Sequence, residues 1–271
     1  MSLRVSSLEQ INQAKIKKKT IIWKSEFNFV NSFNGFRPGF LHTFLSNVGG
    51  GKSSLAKSIV FDATVMNPNK KILLWLTEDR KIDWEADFFE GLLPEKFENN
   101  LRIFSEKDLL KNGKMSPEDL FKFILKAVYE EEIELLILDN ITTSDFYTIE
   151  DYDLIAKMIQ TSMPEEVATV IFAHTNKTYK KYGRDFMEPD NIFGSTYLSK
   201  ITEFFGCLYG IDVPGDGKYT AMVMEKNRHY GVKSDKKYFN LAYNPNIRMY
   251  GSDSPVTYEQ FKKVWNEKES L

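Results

Sequence analysis

One cysteine, Cys207, stands in the 271-residue chain, which excludes an internal disulfide and any zinc site built on several thiolates. Lying in the apolar run 204–211, it reads as a buried structural thiol. No apolar stretch approaches the roughly 20 residues that a membrane span requires, and the N-terminus is polar. The expectation is a cytoplasmic protein with no membrane partner. Charge of one sign is also lacking. A formal net charge of −2 exerts no general pull on nucleic acid, so any such binding has to come from local basic patches. Neither an internal repeat nor a low-complexity segment is present. Core material is plentiful, at 42% hydrophobic and 14% aromatic residues, which fits one α/β domain with short extensions.

The densest chemical signal is Ser46-Asn47-Val48-Gly49-Gly50-Gly51-Lys52-Ser53, a glycine-rich turn ending in Gly-Lys-Ser. An apolar, strand-like run (40–45) precedes it. Residues 54–66 follow with Leu55, Ile59, Val60 and Ala63 at helical spacing. A turn of this kind between strand and helix is a phosphate-binding P-loop: free backbone N–H groups and the helix dipole point at phosphate oxygens, and glycines let the backbone close around them. Asn47, Val48, Gly49, Gly50, Gly51, Lys52, Ser53 and Ser54 are the expected nucleotide-binding residues. Lys52 is expected to reach the β- and γ-phosphates and Ser53 to ligand Mg²⁺. The first position of the pattern holds Ser46, where glycine is usual.

Along the rest of the chain, residues 7–19 read as a short basic helix, and 34–39 as a turn that delivers the chain to the P-loop strand. Strands are expected at 71–77, 101–104, 134–139 and 168–173, with helices near 82–92, 117–131 and 151–162. Strand and helix alternating in this way means a parallel sheet covered by helices on both faces. From about 204 the pattern turns to strands joined across 213–217, an antiparallel hairpin signal.

Leu135-Leu136-Ile137-Leu138-Asp139 is an apolar strand ending in a carboxylate, and Asp139 is expected to hold a Mg²⁺-bound water. Many P-loop ATPases place the water-activating Glu next; here Asn140 stands there, and an amide cannot act as a base. Glu78 is the best replacement, because strand ends in such sheets converge on the nucleotide crevice. Asp79 is a close rival, and a plain charged helix start over residues 77–80 is the bland alternative. A GTPase would need DxxG after the Mg²⁺ strand and Asn-Lys-x-Asp for guanine. Thr142 and Tyr179 break these patterns, so ATP is preferred. His174, closing the strand 168–173, is expected at the crevice as a sensor of the γ-phosphate.

With these residues in place, the chain resembles the RecA-type ATPase core, and more closely the stand-alone cores of DnaB-like and RepA-like ring helicases. The likeness runs from about Phe33 to Leu241. It rests on Arg37-Pro38-Gly39, the P-loop, Trp75-Leu76-Thr77-Glu78-Asp79, Leu138-Asp139-Asn140, the segment 172–177 and Glu225-Lys226-Asn227-Arg228-His229-Tyr230-Gly231. The resemblance implies a RecA-like P-loop NTPase fold, with a mostly parallel central sheet flanked by helices and with C-terminal antiparallel strands. Residues 33–271 would form that domain, and 1–32 a basic helix and linker. It also implies that Glu78 activates water and that His174 couples the γ-phosphate to nucleic-acid loops.

Lys226 and Arg228 resemble the Lys-x-Arg finger that such proteins insert into a neighbour's ATP site. In a strand the two share a face, and two cations aimed at a γ-phosphate offset transition-state charge. Residues 177–186 carry Lys177, Lys180, Lys181 and Arg184 among three aromatics. Cations that track phosphates and rings that stack on bases suit single strands. The expected protein is a homo-oligomeric ring, such as a hexamer, that uses ATP and Mg²⁺ to move on or remodel single-stranded nucleic acid, with single-stranded DNA the expected partner. A RecA/KaiC-like recombination or regulatory ATPase without unwinding, and a non-hydrolysing ATP-binding assembly module, are the alternatives.

Overall fold

The computed structural model describes residues 23–89, 92–94, 97, 99–113, 115–176, 187, 191–213, 217–227 and 236–269. In chain order its helices and strands are α1 (Asn28–Asn31), β1 (Leu41–Ser46), α2 (Lys52–Met66), β2 (Ile72–Leu76), α3 (Lys81–Phe89), β3 (Leu101–Ser105), α4 (Glu106–Leu109), α5 (Pro117–Glu130), β4 (Leu135–Asp139), α6 (Tyr152–Ser162), β5 (Ala168–His174), α7 (Thr196–Ile201), β6 (Phe204–Val213), β7 (Gly217–Asn227), β8 (Lys237–Asn244), β9 (Met249–Val256) and α8 (Tyr258–Glu269). The basic helix expected at 7–19 lies outside the described residues.

The strands form one nine-stranded sheet in the order β3-β2-β4-β5-β1-β6-β7-β8-β9. From β3 to β6 every pairing is parallel; from β6 to β9 every pairing is antiparallel. This is the mixed architecture that the strand-helix alternation and the later hairpin signal imply.

Alternation along each strand sorts side chains to opposite faces. Leu73, Trp75, Leu136 and Leu138 pack with Leu120, Phe121 and Ile124 of α5 and with Ile155 and Ile159 of α6. Ile72, Leu74, Leu135 and Ile137 pack instead with Leu55 and Ile59 of α2 and with Trp84 and Phe88 of α3. Each such side chain, fully buried, stabilises the fold by about 1.5–3 kcal/mol. β2 is therefore apolar at every position, and β4 up to its terminal Asp139, because water reaches neither face.

Local signals set the helix ends. α5 begins with Pro117 in its first turn, after Ser116, whose hydroxyl accepts from the Asp119 N–H at 3.1 Å. α2 begins without a side-chain cap, on Gly51. The free N–H groups of that first turn face the P-loop.

The core also reaches back to Trp23, Phe27, Phe29 and Val30, all buried, ahead of residue 33 where the sequence places the start of the domain. The Asp253 carboxylate in β9 accepts from the N–H groups of Asn28 (2.6 Å) and Phe29 (2.7 Å), fastening α1 to the far end of the sheet. Neither α1 nor α8 is expected from the sequence pattern. In α8 the reason is visible: charged residues dominate, and Phe261 is its buried anchor.

Candidate nucleotide site

Register lines up the functional residues along one edge of the sheet. Ser46, the last residue of β1, pairs with His174, the last of β5. Leu76 pairs with Asp139 across β2 and β4, so Glu78 emerges just beyond. The strand carrying the P-loop lies between β5 and β6. Crevices at the carboxyl ends of strands in such sheets are where ligands bind.

The P-loop explains its own departure from the usual pattern. Ser46 is fully buried, and its hydroxyl donates to the Asn47 carbonyl at 2.9 Å, so a small polar side chain closes the turn where glycine would leave space. Gly51 has φ +93°, and a Cβ there would collide with the Tyr250 hydroxyl from β9; both facts demand glycine. The expected nucleotide-binding residues 47–54 thus form the turn and the first residues of α2, with Val48 at an exposed tip and Lys52 buried.

Lys52 Nζ lies 2.9 Å from His174 Nδ1. An ammonium can only donate, so Nδ1, at the shorter distance, is the acceptor; Nε2 lies 3.4 Å from the same Nζ and 3.7 Å from Glu78 Oε1. Asn140 Nδ2 donates to the same Oε1 at 3.1 Å. The Glu78 carboxyl is held down at about 2, first by His174 and then by Thr143 and Asn140, against the opposing effect of burial. At 3.7 Å the His174 contact is electrostatic; Asn140 supplies the shorter bond. Burial lowers the Lys52 pKa, while Asp139 and Glu78 raise it.

Asp79, the rival carboxylate, turns elsewhere. Its Oδ2 accepts from Trp84 Nε1 at 2.8 Å, and its carbonyl accepts from the Ser105 hydroxyl at 2.7 Å, which ties it to α3 and β3. Glu78 alone of the pair touches His174 and Asn140.

The Mg²⁺ site expected at Ser53 and Asp139 fits these residues. The Ser53 hydroxyl lies beside the Asp139 carboxylate, whose Oδ1 is buried with no hydrogen-bond partner among the described residues. Burial pushes the Asp139 carboxyl up to about 6, against the pull of Lys52 and Ser53. Among the described residues no group of three or more His, Cys, Asp or Glu side chains could cage a metal. One hydroxyl and one carboxylate are what Mg²⁺ takes from protein when phosphates and water complete its shell.

Of the remaining candidates, the backbone of Lys226 alone is described, and it lies away from this cluster. Lys226 pairs through its backbone with Phe205, which in turn pairs with Thr43 near the start of β1. That is about three residues, on the order of 10 Å, below the P-loop end of the sheet. Arg228, Lys177, Lys180, Lys181 and Arg184 lie outside the described residues.

Some participants carried no sequence signal. Tyr250 approaches Gly51 from a strand far along the chain. Thr142 and Thr143 look like ordinary loop residues, yet Thr142 Oγ1 accepts the His174 N–H at 3.1 Å and Thr143 Oγ1 lies 2.7 Å from Thr77 Oγ1.

The parallel block with its P-loop at β1 and the antiparallel extension make this a RecA-like P-loop NTPase fold. Among solved structures, it is similar to a KaiC-like protein from the hyperthermophilic archaeon Pyrococcus horikoshii OT3, with a TM-score of 0.58. That likeness covers 87% of this chain and 99% of the other at 14% sequence identity, and at such identity it shows the fold alone. No protein-family model matches the chain, and no curated protein matches it. Among the described residues no helix is long and apolar enough to cross a membrane.

Proposed function

We propose that the chain is a Mg²⁺-dependent ATPase. The observation that carries this reading is the convergence of Lys52, Glu78, Asp139 and His174 on adjacent strand ends beside an uncapped helix N-terminus. The loop amides and Lys52 bind the phosphates, Lys52 exchanging its imidazole partner for γ-phosphate oxygens. Ser53 and Asp139 would hold Mg²⁺, which when bound offsets charge on the β- and γ-phosphate oxygens. Glu78, ionised at neutral pH, accepts a hydrogen bond from the attacking water and aligns it. In a loose phosphoryl-transfer transition state, alignment and charge compensation matter more than proton removal, so a carboxyl near 2 suffices.

The finer reading is an oligomeric motor of the DnaB/RepA type that couples hydrolysis to single-stranded DNA. Its support is the basic-aromatic segment 177–186 that follows His174, and the placement of Lys226 away from its own P-loop, which suits a finger serving a neighbour. The likeness to a KaiC-like protein favours a second reading, a RecA/KaiC-like regulatory or recombination ATPase without unwinding. ATP turnover with and without single-stranded DNA, together with mass in solution with nucleotide, separates them. Stimulated turnover by a ring-sized species supports the motor. Turnover indifferent to DNA supports the second reading, and an inert monomer overturns both.

A further inference from the structure

Asn140 occupies the position where a carboxylate base would be expected, and its surroundings assign it a different task. Its Oδ1 accepts two bonds, from the Thr142 N–H at 2.9 Å and the Thr142 hydroxyl at 2.6 Å. Those two donors fix which end of the amide is oxygen, so the NH₂ must face Glu78, to which it donates at 3.1 Å. The Thr142 hydroxyl, having donated to Asn140, accepts from the backbone N–H of His174 at 3.1 Å. Asn140 Nδ2 also lies 3.5 Å from His174 Nε2, so amide and imidazole crowd the same carboxylate oxygen. The Asn140 backbone is itself fixed: its N–H donates to Thr77 Oγ1 at 3.1 Å, and the same hydroxyl donates to its carbonyl at 3.0 Å. Asn140 and Thr142 are both buried, so their bonds compete little with water.

We propose that Asn140 is the positioning residue of the hydrolytic site, its amide clamping the Glu78 carboxylate in place and, through Thr142, fastening that carboxylate to the strand end that carries His174. The carboxylate that aligns water and the imidazole that meets the P-loop lysine are thereby held as one unit. The inference rests on the reading of Glu78 as the water-aligning group. It requires an amide at residue 140 rather than an acid, because two carboxylates at this spacing would repel and one would take up a proton.

The test uses the full chain. Asn140→Ala should lower kcat about ten- to a hundredfold, the range commanded by a hydrogen bond to a charged group, while affinity for AMP-PNP with Mg²⁺ stays within about twofold. Asn140→Asp should lose at least as much. Thr142→Val should lose part of the rate and Thr142→Ser should regain most of it. Combined with Glu78→Gln, Asn140→Ala should add little further loss, since the clamp has no carboxylate left to hold. A second readout needs no turnover: the ¹⁵N ring signals of His174, identified by their loss in His174→Gln, should shift in Asn140→Ala. Those of His42, walled by Phe33, Phe36 and Phe204, should stay put. Wild-type kcat in Asn140→Ala, a loss of rate matched by a loss of AMP-PNP affinity, or an unmoved His174 signal would overturn the proposal. If Asn140→Ala does not fold, the Thr142→Val and Thr142→Ser pair decides. If the wild-type chain shows no turnover, the ATPase reading fails, and the His174 signal alone still decides whether Asn140 couples the two groups.

Discussion

Lys52 Nζ and His174 Nδ1 meet at 2.9 Å, and the other nitrogen of the same ring lies 3.7 Å from Glu78 Oε1. The P-loop cation and the candidate water-aligning carboxylate are thus joined through one imidazole. A γ-phosphate that draws Lys52 away breaks this chain at its first link.

Lys52→Ala is expected to abolish most nucleotide binding and turnover while the fold persists. The γ-phosphate loses its principal cation, but the side chain contributes nothing to either apolar layer. Isothermal titration with AMP-PNP and a thermal melt check both halves; near-wild-type hydrolysis would refute the P-loop assignment.

Glu78→Gln should bind ATP and lose about 10²–10⁴ in rate, the range for removing a positioned acid-base group. Asp79→Asn should instead cost stability more than rate, since Asp79 is occupied with Trp84. Steady-state kinetics on the pair decide, and the reverse pattern would make Asp79 the reacting carboxylate.

Glu106 gives the fold a pH dependence of its own. It is fully buried, accepting from Trp75 Nε1 at 2.7 Å and from the Ser144 hydroxyl at 2.6 Å. Burial nevertheless pushes its carboxyl from 4.5 up to about 7. The native state therefore holds this proton more tightly than the unfolded chain does. The stability it contributes is fully present below about pH 4.5 and is lost as pH rises through about 7, a change on the order of 3 kcal/mol. Urea midpoints at pH 5 and pH 7.5 should differ in the wild type by more than in Glu106→Gln; equal differences would contradict the assignment.

Replacing Lys180, Lys181 and Arg184 with Ala should weaken binding to single-stranded DNA and flatten its salt dependence, because fewer counterions are released. ATP binding should survive. Fluorescence anisotropy across a salt series gives the slope, and an unchanged slope would move the nucleic-acid site elsewhere, Lys17-Lys18-Lys19 being the next choice.

Arg228→Ala should bind ATP and hydrolyse it poorly, since fingers of this kind supply roughly 10³–10⁵ in rate. Mixed with Glu78→Gln subunits it should regain part of the activity that both lack. No recovery despite demonstrated co-assembly would count against action across an interface.

β2 and β4 were legible because each is an unbroken apolar run between charged flanks, and the P-loop because its glycines and lysine have few other uses. Leu135 to Asp139 illustrates both: the run defines β4, and the terminal carboxylate marks the crevice. Side-chain bonds between distant segments left no such trace. Nothing in residues 77–80 distinguishes Glu78 from Asp79 until Trp84 is seen to hold the second, and nothing near Asn140 shows that its amide points at residue 78. α1 and α8 were missed for a related reason: four residues are too few for a periodic pattern, and a Lys/Glu-rich segment with Phe261 as its buried anchor resembles a solvated tail.

Tyr250 makes the phosphate loop depend on the end of the chain. Its hydroxyl rests against Gly51, and its backbone N–H donates to Ser58 Oγ of α2 at 2.8 Å, 192 residues apart in sequence. A fragment trimmed after β7 would retain every nucleotide-site motif and still lose the wall behind its glycines, leaving the loop free to sample shapes that no triphosphate fits. A fragment that keeps the wall behind Gly51 therefore has to run at least through Tyr250 of β9. Any fusion, split or domain exchange that separates the two halves also strips Phe239, Leu241 and Tyr250 from the apolar layer that holds Leu55 and Ile59 of α2, so the loop's shape and the core would weaken together.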